Sequence, residues 1–227
     1  MTPDERWLAA AWPFVRAQVP SAPARVLEIG CGPLGGFVPA LLAGGYEAVG
    51  VDPEAPDGPS YHQVEFERYR PPRPVQCVVA STSLHHVADL NEVLDRVATT
   101  LTTAGALVVV EWAWERFDQA TARWCFARLT PPPAPPGEPG WLHQHQQRWA
   151  ASGQPWETYC RGWAMAEGLH TGQAILHALD VRFDPQVYFD GPYFFPDLAD
   201  TTEADEQAAI DAGQIQATGI RYAGILR

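Results

Sequence analysis

Runs of apolar residues alternate with amphipathic segments along the first half of the chain. The predominantly apolar runs are Arg25 to Gly30 (RVLEIG), Tyr46 to Val51, Val75 to Ala80 and Ala106 to Val110, with a shorter one at Tyr61 to Phe66. Runs of this length are typical of buried parallel strands. Leu34 to Ala43 and Asp89 to Leu101 show helical spacing, and Asp89 is placed to cap the second of these helices. The alternation predicts a doubly wound α/β domain.

Residues Pro3 to Val19 predict an N-terminal helix (within residues 1–20) that Pro13 kinks or splits.

The second half of the chain departs from the alternation of strands and helices. After Glu111 come helical segments rich in Trp, His and Gln, divided by an extended Pro-rich linker at Pro131 to Gly140. We interpret residues 112–168 as an inserted helical cap. A helix at Thr171 to Leu179, a strand at Val181 to Phe189, a helix at Thr202 to Ala212 and a strand at Ala217 to Leu226 complete a single domain of residues 1–227.

A glycine-rich turn joins the first strand to the first helix of this alternation. It reads Glu28-Ile29-Gly30-Cys31-Gly32-Pro33-Leu34-Gly35-Gly36, and Asp52 stands at the end of the next strand. Glycines let a ligand approach the backbone closely, and a helix N-terminus offers free N–H groups. An acid at the end of the second strand is well placed for the hydroxyls of a ribose. The pattern predicts a nucleotide-type cofactor.

The spacing of the glycines leaves two kinds of cofactor open. Gly30, Gly32 and Gly35 match the dinucleotide pattern G-x-G-x-x-G, so an NAD-dependent oxidoreductase is one alternative. Glu28 lies two residues before the first glycine, however, and a carboxylate suits a ligand with an ammonium or sulfonium group better than a pyrophosphate. The elements at the end of the chain also do not form a second βαβαβ half.

The ordered segments VLEIGCGP, GYEAVGVDP, SLHHVADLNEVLDRVATTL and TTAGALVVVEW resemble the class I S-adenosylmethionine-dependent methyltransferases. The resemblance covers residues 25–111 and the terminal strands. It implies a Rossmann-like, mainly parallel seven-stranded sheet with an antiparallel last strand, and S-adenosylmethionine as cofactor. A third alternative is a member of this fold that binds the cofactor without transferring a methyl group.

The resemblance also implies positions for the cofactor. Glu28, Gly30 and Gly32 would surround its methionine part, although the turn is one residue longer than the usual pattern. Asp52, with Pro53 beside it, would hold the ribose hydroxyls. The remaining implied contacts are Glu65 and Phe66 near the adenine, and Ser81 and Thr82 on the floor of the site.

Candidate acid–base residues follow the fourth and fifth strands, beside the expected cofactor site. His85 and His86 follow the fourth strand, and we take His86 as the more favourable group to orient or deprotonate a substrate. Glu111 ends the fifth strand and is the second candidate. Each also has a purely structural interpretation, as a loop hydrogen bond for the histidine and as an ion pair or helix cap for Glu111.

Charge and composition narrow the choice of acceptor. The formal net charge is −12, from 15 Lys and Arg against 27 Asp and Glu, which disfavours nucleic acid as a partner. His143 and His145 lack a third ligand nearby, so we expect no metal site. No apolar run is long enough for a membrane span, the N-terminus lacks a signal-peptide pattern, and the four cysteines show no paired spacing. We expect a cytoplasmic enzyme that methylates a small molecule.

Overall fold

The computed structural model of the protein describes residues 1–129 and 140–227. Its strands are β1 (Arg25–Ile29), β2 (Glu47–Val51), β3 (Tyr61–His62), β4 (Val75–Ser81), β5 (Leu101–Trp112), β6 (Phe183–Gly191) and β7 (Gly219–Leu226). Its helices are α1 (Pro3–Gln18), α2 (Val38–Ala43), α3 (Leu90–Thr100), α4 (Gln119–Phe126), α5 (Trp141–Ser152), α6 (Trp156–Ala166), α7 (Gly172–Asp180) and α8 (Glu203–Asp211). All but Gly140 of the predicted Pro-rich linker lies outside the described residues.

Within the described residues, seven strands form one sheet in the order β3-β2-β1-β4-β5-β7-β6. β1 pairs in parallel with β2 and β4, and β4 pairs in parallel with β5. β7 is antiparallel to both of its neighbours, β5 and β6. The predicted Rossmann-like α/β fold with an antiparallel last strand is confirmed. The glycine turn, Asp52, the loop after β4 and Glu111 therefore meet at one edge of the sheet, where the parallel strands end.

Two apolar layers cover the faces of the sheet. On one face, α3 and α7 bury Val93, Leu94, Ile175 and Leu179 against the strands. On the other face, Ala11 and Val15 of α1 are fully buried beside Phe37. The predicted cap on α3 is present, since the Asp89 carboxylate accepts hydrogen bonds from the N–H groups of Asn91 and Glu92. Every parallel strand near the glycine turn is thus held from both sides.

Several predicted boundaries differ from the structure. α1 runs through Pro13 without interruption, because burial of its apolar face against the sheet outweighs the lost N–H. α2 begins at Val38 instead of Leu34, since the glycine turn extends to Phe37. β5 begins at Leu101 instead of Ala106, and Ala104, which has a φ of 56°, lies at an irregularity in its pairing with β4.

The helices between β5 and α7 pack on an aromatic cluster of their own. Trp156 is its largest fully buried side chain, and the ring of Phe117 meets it edge to face at a centroid distance of 4.9 Å. Phe126, Leu142 and Cys160 fill the same cluster. Within residues 1–129 and 140–227, no helix combines the length and the apolar character needed to cross a bilayer. The four cysteines are free and buried.

Candidate active site

The glycine turn packs tightly against the loop after β4 and opens on its other side. A Cβ on Gly30, where φ is +79°, would lie 2.5 Å from the Ser83 Cβ and 2.7 Å from the Ser81 carbonyl oxygen. A Cβ on Gly32, where φ is +58°, would meet no atom within 4 Å. Gly30 is therefore required by packing, whereas the backbone at Gly32 is open to close approach by a ligand.

Two carboxyl groups hold this turn in place. The fully buried Glu28 carboxyl accepts a hydrogen bond from the Phe37 N–H at 2.8 Å, and its Oε1 has no partner. Burial raises the pKa of Glu28 to about 8, which the N–H groups of Phe37 and Val38 only partly offset and the nearby Asp52 increases further. The half-buried Asp52 carboxylate accepts hydrogen bonds from Gly32 N at 3.0 Å and Glu54 N at 2.7 Å.

A cleft of about 260 Å³ lies above the glycine turn. It brings together four of the predicted cofactor residues, Gly30, Gly32, Ser81 and Thr82. Its other walls come from distant parts of the chain: Pro3, Asp4, Trp7 and Leu8 of α1, Trp141 of α5, and Tyr193, Pro196 and Asp197. The guanidinium of Arg6 donates hydrogen bonds to the carbonyl oxygens of Pro196, Leu198 and Thr201, which fastens α1 to the opposite wall.

The other predicted cofactor residues lie outside the lining of this cleft. Pro53 is exposed on the loop after Asp52. Glu65 is exposed and pairs with Arg68 at 3.3 Å. Phe66 is buried in the core beneath the Arg96 guanidinium, which lies 5.2 Å from its ring centroid. Glu28 and Asp52 also lie outside the lining, and each supports the turn by accepting a hydrogen bond from its backbone, from Phe37 N and Gly32 N respectively.

A second cavity of about 360 Å³ adjoins the cleft. Trp141 and Tyr193 line both spaces, so they form the boundary between them. The second cavity is lined by His85, His86, Trp112, Trp141, Gln144, His145, Arg148, Trp163 and Tyr193. We call the first space the cleft and the second the aromatic cavity.

Trp112 is the centre of the aromatic wall. Its indole lies 5.5 Å from the ring of Trp141, 6.0 Å from that of Trp163, and parallel to that of Tyr193. Buried Glu206 fixes Tyr193 from behind, because its carboxylate accepts hydrogen bonds from the N–H groups of Tyr193, Phe194 and Phe195. Rigid aromatic rings of this kind form flat apolar walls.

Glu111 and His85 form a buried pair at the end of the aromatic cavity nearest the sheet. Glu111 is fully buried, and its Oε1 lies 2.5 Å from Nδ1 of His85 and 2.7 Å from the Trp112 N–H. Its Oε2 accepts a hydrogen bond from Leu84 N at 2.9 Å. His86 is exposed and its ring centroid lies 4.0 Å from that of His85. Partial burial and the neighbouring His85 lower the pKa of His86.

His145 is a neutral member of the cavity wall. Its Nδ1 lies 2.9 Å from the Tyr159 hydroxyl, and its ring meets Trp163 edge to face. Burial, with the neighbouring Arg148, lowers the pKa of His145 to about 4. In the part of the chain that the structure describes, no three His, Cys, Asp or Glu side chains are grouped so as to hold a metal ion.

Three residues of the walls and their support were not singled out from the sequence: Trp7, Asp197 and Glu206. Asp197 lies in the wall of the cleft, where burial raises its pKa to about 6 although a hydrogen bond with Trp141 opposes this. Glu206 had a weak signal, since it is the position within an acidic helix that faces the protein. Nothing local marks Asp197, because its partners are distant in sequence.

Comparison with known proteins identifies the family. A family model described as a methyltransferase domain matches residues 6–159, about two thirds of the chain. The chain therefore belongs to this family of methyltransferases. No match to the chain was found among curated protein sequences.

Solved structures share the fold. An S-adenosylmethionine-dependent methyltransferase from Mesorhizobium loti is 19% identical with a TM-score of 0.56, over 95% of this chain and 97% of that one. The N-methyltransferase NodS from Bradyrhizobium japonicum, in complex with S-adenosyl-L-homocysteine, is 14% identical with a TM-score of 0.54, over 99% and 88%. Family and fold together define a class I S-adenosylmethionine-dependent methyltransferase. S-adenosylmethionine is the methyl donor of this class of enzyme.

Proposed function

We propose that the enzyme methylates a small planar molecule bound in the aromatic cavity, with S-adenosylmethionine in the adjoining cleft. The observation that carries the proposal is the shared wall of the two spaces. Trp141 and Tyr193 border both, so ligands in the cleft and in the aromatic cavity would meet there. Methyl transfer depends on holding two reactants in line and in contact, which such a junction provides.

The cleft suits the cofactor on two counts. The open backbone at Gly32 allows close approach, and the carboxylate of Asp52 at the end of β2 is half-exposed beside it. We assign Gly30, Gly32, Ser81 and Thr82 to the floor of the cofactor site and Asp52 to the ribose hydroxyls. When bound, the cofactor supplies an electrophilic methyl group on a positively charged sulfur. Glu28 contributes by fixing the turn through Phe37.

The aromatic cavity suits a small acceptor by its volume and walls. At about 360 Å³ it is within the usual size range for small-molecule sites, which is roughly 300–1,000 Å³. Four of its nine lining residues carry indole or phenol rings, and the other five are polar: His85, His86, Gln144, His145 and Arg148. Helices α5 and α6 carry Trp141, His145 and Trp163 over the cavity, which supports the interpretation of residues 112–168 as a cap. A protein or nucleic-acid acceptor would need a groove open along its length.

Two measurements test the proposal. Calorimetric titration with S-adenosyl-L-homocysteine and, separately, with NADH tests the cofactor; we expect micromolar binding of the first and none of the second. Transfer of label from methyl-tritiated S-adenosylmethionine is then measured with a panel of aromatic small molecules, a protein mixture and duplex DNA. We expect label in the small-molecule fraction. Label found only in protein or DNA would contradict the proposal, and tight cofactor binding without any turnover would favour a non-methylating member of the fold.

A further inference from the structure

The pair formed by His85 and Glu111 has the geometry of an acid–base pair facing the aromatic cavity. We propose that His85 is the general base of the reaction, that Glu111 is its positioning residue, and that the acceptors carry an O–H or N–H proton which must be removed. This inference rests on the proposed function, because it assigns a substrate class to the same cavity.

The hydrogen bonds of Glu111 fix one tautomer of His85. Both carboxyl oxygens accept hydrogen bonds from backbone N–H groups, one from Trp112 and the other from Leu84. A carboxylate oxygen can only accept a hydrogen bond. Nδ1 of His85, which lies 2.5 Å from Oε1, must therefore carry the proton. Nε2 then carries the lone pair. The Glu111 carboxylate also compensates the charge that develops when Nε2 takes a proton.

The ring of His85 is not the only part of this residue that is held in place. Its backbone is fixed as well, because its carbonyl accepts a hydrogen bond from His170 N at 2.9 Å. Across residues 1–129 and 140–227, no protein group hydrogen-bonds to Nε2. The titratable and charged groups that face His85 from the surrounding elements are Glu111, His86, His145, Arg148, Glu167, His170 and Tyr193.

These neighbours leave His85 as the base. His145 has a pKa of about 4 and its Nδ1 is engaged by Tyr159. Burial raises the pKa of Tyr193, so its hydroxyl keeps its proton at neutral pH. His86 is exposed, and within the described part of the chain no carboxylate hydrogen-bonds to its ring. His85 alone among them combines a fixed tautomer with a place in the cavity wall.

The chemical step balances with this one base. The acceptor oxygen or nitrogen forms a bond to the methyl carbon while its proton passes to Nε2 of His85. The bond from that carbon to sulfur breaks with its electron pair on sulfur, which leaves neutral S-adenosyl-L-homocysteine. The His85 imidazolium then returns its proton to solvent. An acceptor with no proton to lose, or one that is already ionised, has no need of His85.

The test compares acceptors that differ in ionisation. Phenol and 4-nitrophenol are used at mildly alkaline pH, where the first is protonated and the second is largely ionised. We expect His85→Gln to lower kcat/KM for phenol at least about 100-fold, the usual contribution of a general base, and to lower that for 4-nitrophenol less than threefold. Glu111→Gln should lower the ratio of the phenol rate to the 4-nitrophenol rate about tenfold. His177→Gln, an exposed histidine on α7, is the control.

Calorimetric titration with S-adenosyl-L-homocysteine shows whether each variant keeps its fold and cofactor site. Equal losses on both phenols would overturn the inference, as would a selective loss in His86→Gln that His85→Gln does not show. Quinoline is methylated on a nitrogen that carries no proton, whereas phenols and N–H azoles carry one. Wild-type enzyme that methylates quinoline but neither phenols nor azoles would refute the substrate class and leave the proposed function standing. Wild-type enzyme that binds S-adenosyl-L-homocysteine but methylates no small molecule would refute the proposed function itself.

Discussion

The phenol ring of Tyr193 lies parallel to the indole of Trp112, at an interplanar angle of 9° with the ring centroids 5.6 Å apart. Tyr193 borders the cleft and the aromatic cavity, and Glu206 holds its backbone in place. The junction where methyl donor and acceptor would meet in the proposed reaction is thus bordered by a ring that stacks on Trp112, which comes from a distant part of the chain.

Replacing Tyr193 with Ala should impair acceptor binding more than cofactor binding. The change removes the stacked ring and widens the junction between the two spaces, so we expect kcat/KM for the acceptor to fall at least about tenfold, or about 1.4 kcal/mol. Tyr193→Phe keeps the ring and should stay within threefold of wild type. The exposed Tyr188, changed to Ala, is the control. Equal losses in Tyr193→Ala and Tyr193→Phe would assign the effect to the hydroxyl.

Replacing Asp52 with Ala should weaken the binding of S-adenosyl-L-homocysteine at least about tenfold, since the variant loses both the expected ribose contact and the hydrogen bond that orders Gly32. Calorimetric titration measures the change. Asp57→Ala removes an exposed carboxylate from the same loop and should bind as wild type does. Equal affinities for S-adenosyl-L-homocysteine in the two variants would show that Asp52 does not contribute to cofactor binding.

Glu28 should make the stability of the fold depend on pH. Burial raises its folded-state pKa from 4.5 to about 8, so the folded protein retains a proton that the unfolded chain releases. The stability that this proton contributes is present below pH 4.5 and is lost as the pH rises to about 8. One pKa unit corresponds to about 1.4 kcal/mol, so we expect the loss to reach a few kcal/mol.

Urea unfolding of wild type and Glu28→Gln at several pH values between 5 and 8.5 measures this loss. The free energy of unfolding of wild type should fall relative to that of the variant across the range, because glutamine cannot ionise. Glu54→Gln, at an exposed position, should follow wild type. Parallel curves for wild type and Glu28→Gln would show that Glu28 does not titrate in this window.

Trp156→Ala should destabilise the helices that cover the aromatic cavity. Trp156 is fully buried, its indole N–H donates to the Phe117 carbonyl, and its ring contacts that of Trp149. Truncation of such a side chain costs about 3–5 kcal/mol, measured by chemical unfolding. Met165→Ala, on the exposed side of α6, should change stability by less than about 0.5 kcal/mol. A loss under 1 kcal/mol in Trp156→Ala would mean that the cluster packs loosely.

The sequence predicted those features that depend on local pattern. The apolar runs located β1, β4 and the buried part of β5, and the Asp89 cap follows from a residue type beside an amphipathic segment. The start of α2 was wrong because glycines 35 and 36 allow the turn to continue where the apolar spacing already suggested a helix.

Features that depend on long-range contacts could not be predicted. Neighbouring histidines in an irregular loop have no periodicity that tells which is buried, and the contact that holds His85 comes from Glu111, 26 residues away. The cleft wall at Asp197 depends on how the segment after β6 returns to α1, which no local pattern encodes. The packing of the helices around the aromatic cavity likewise depends on contacts between tryptophan rings that are distant in sequence.

The position of β7 sets an order on the assembly of the site. β7 lies between β5 and β6 in the sheet although it follows both in sequence, so β6 has no strand partner among the described residues until β7 is in place. The segment that carries Tyr193 and Asp197 leads directly out of β6. A growing chain will therefore present α1, its glycine turn and His85 well before the wall that carries Tyr193 and Asp197 can close over the cleft.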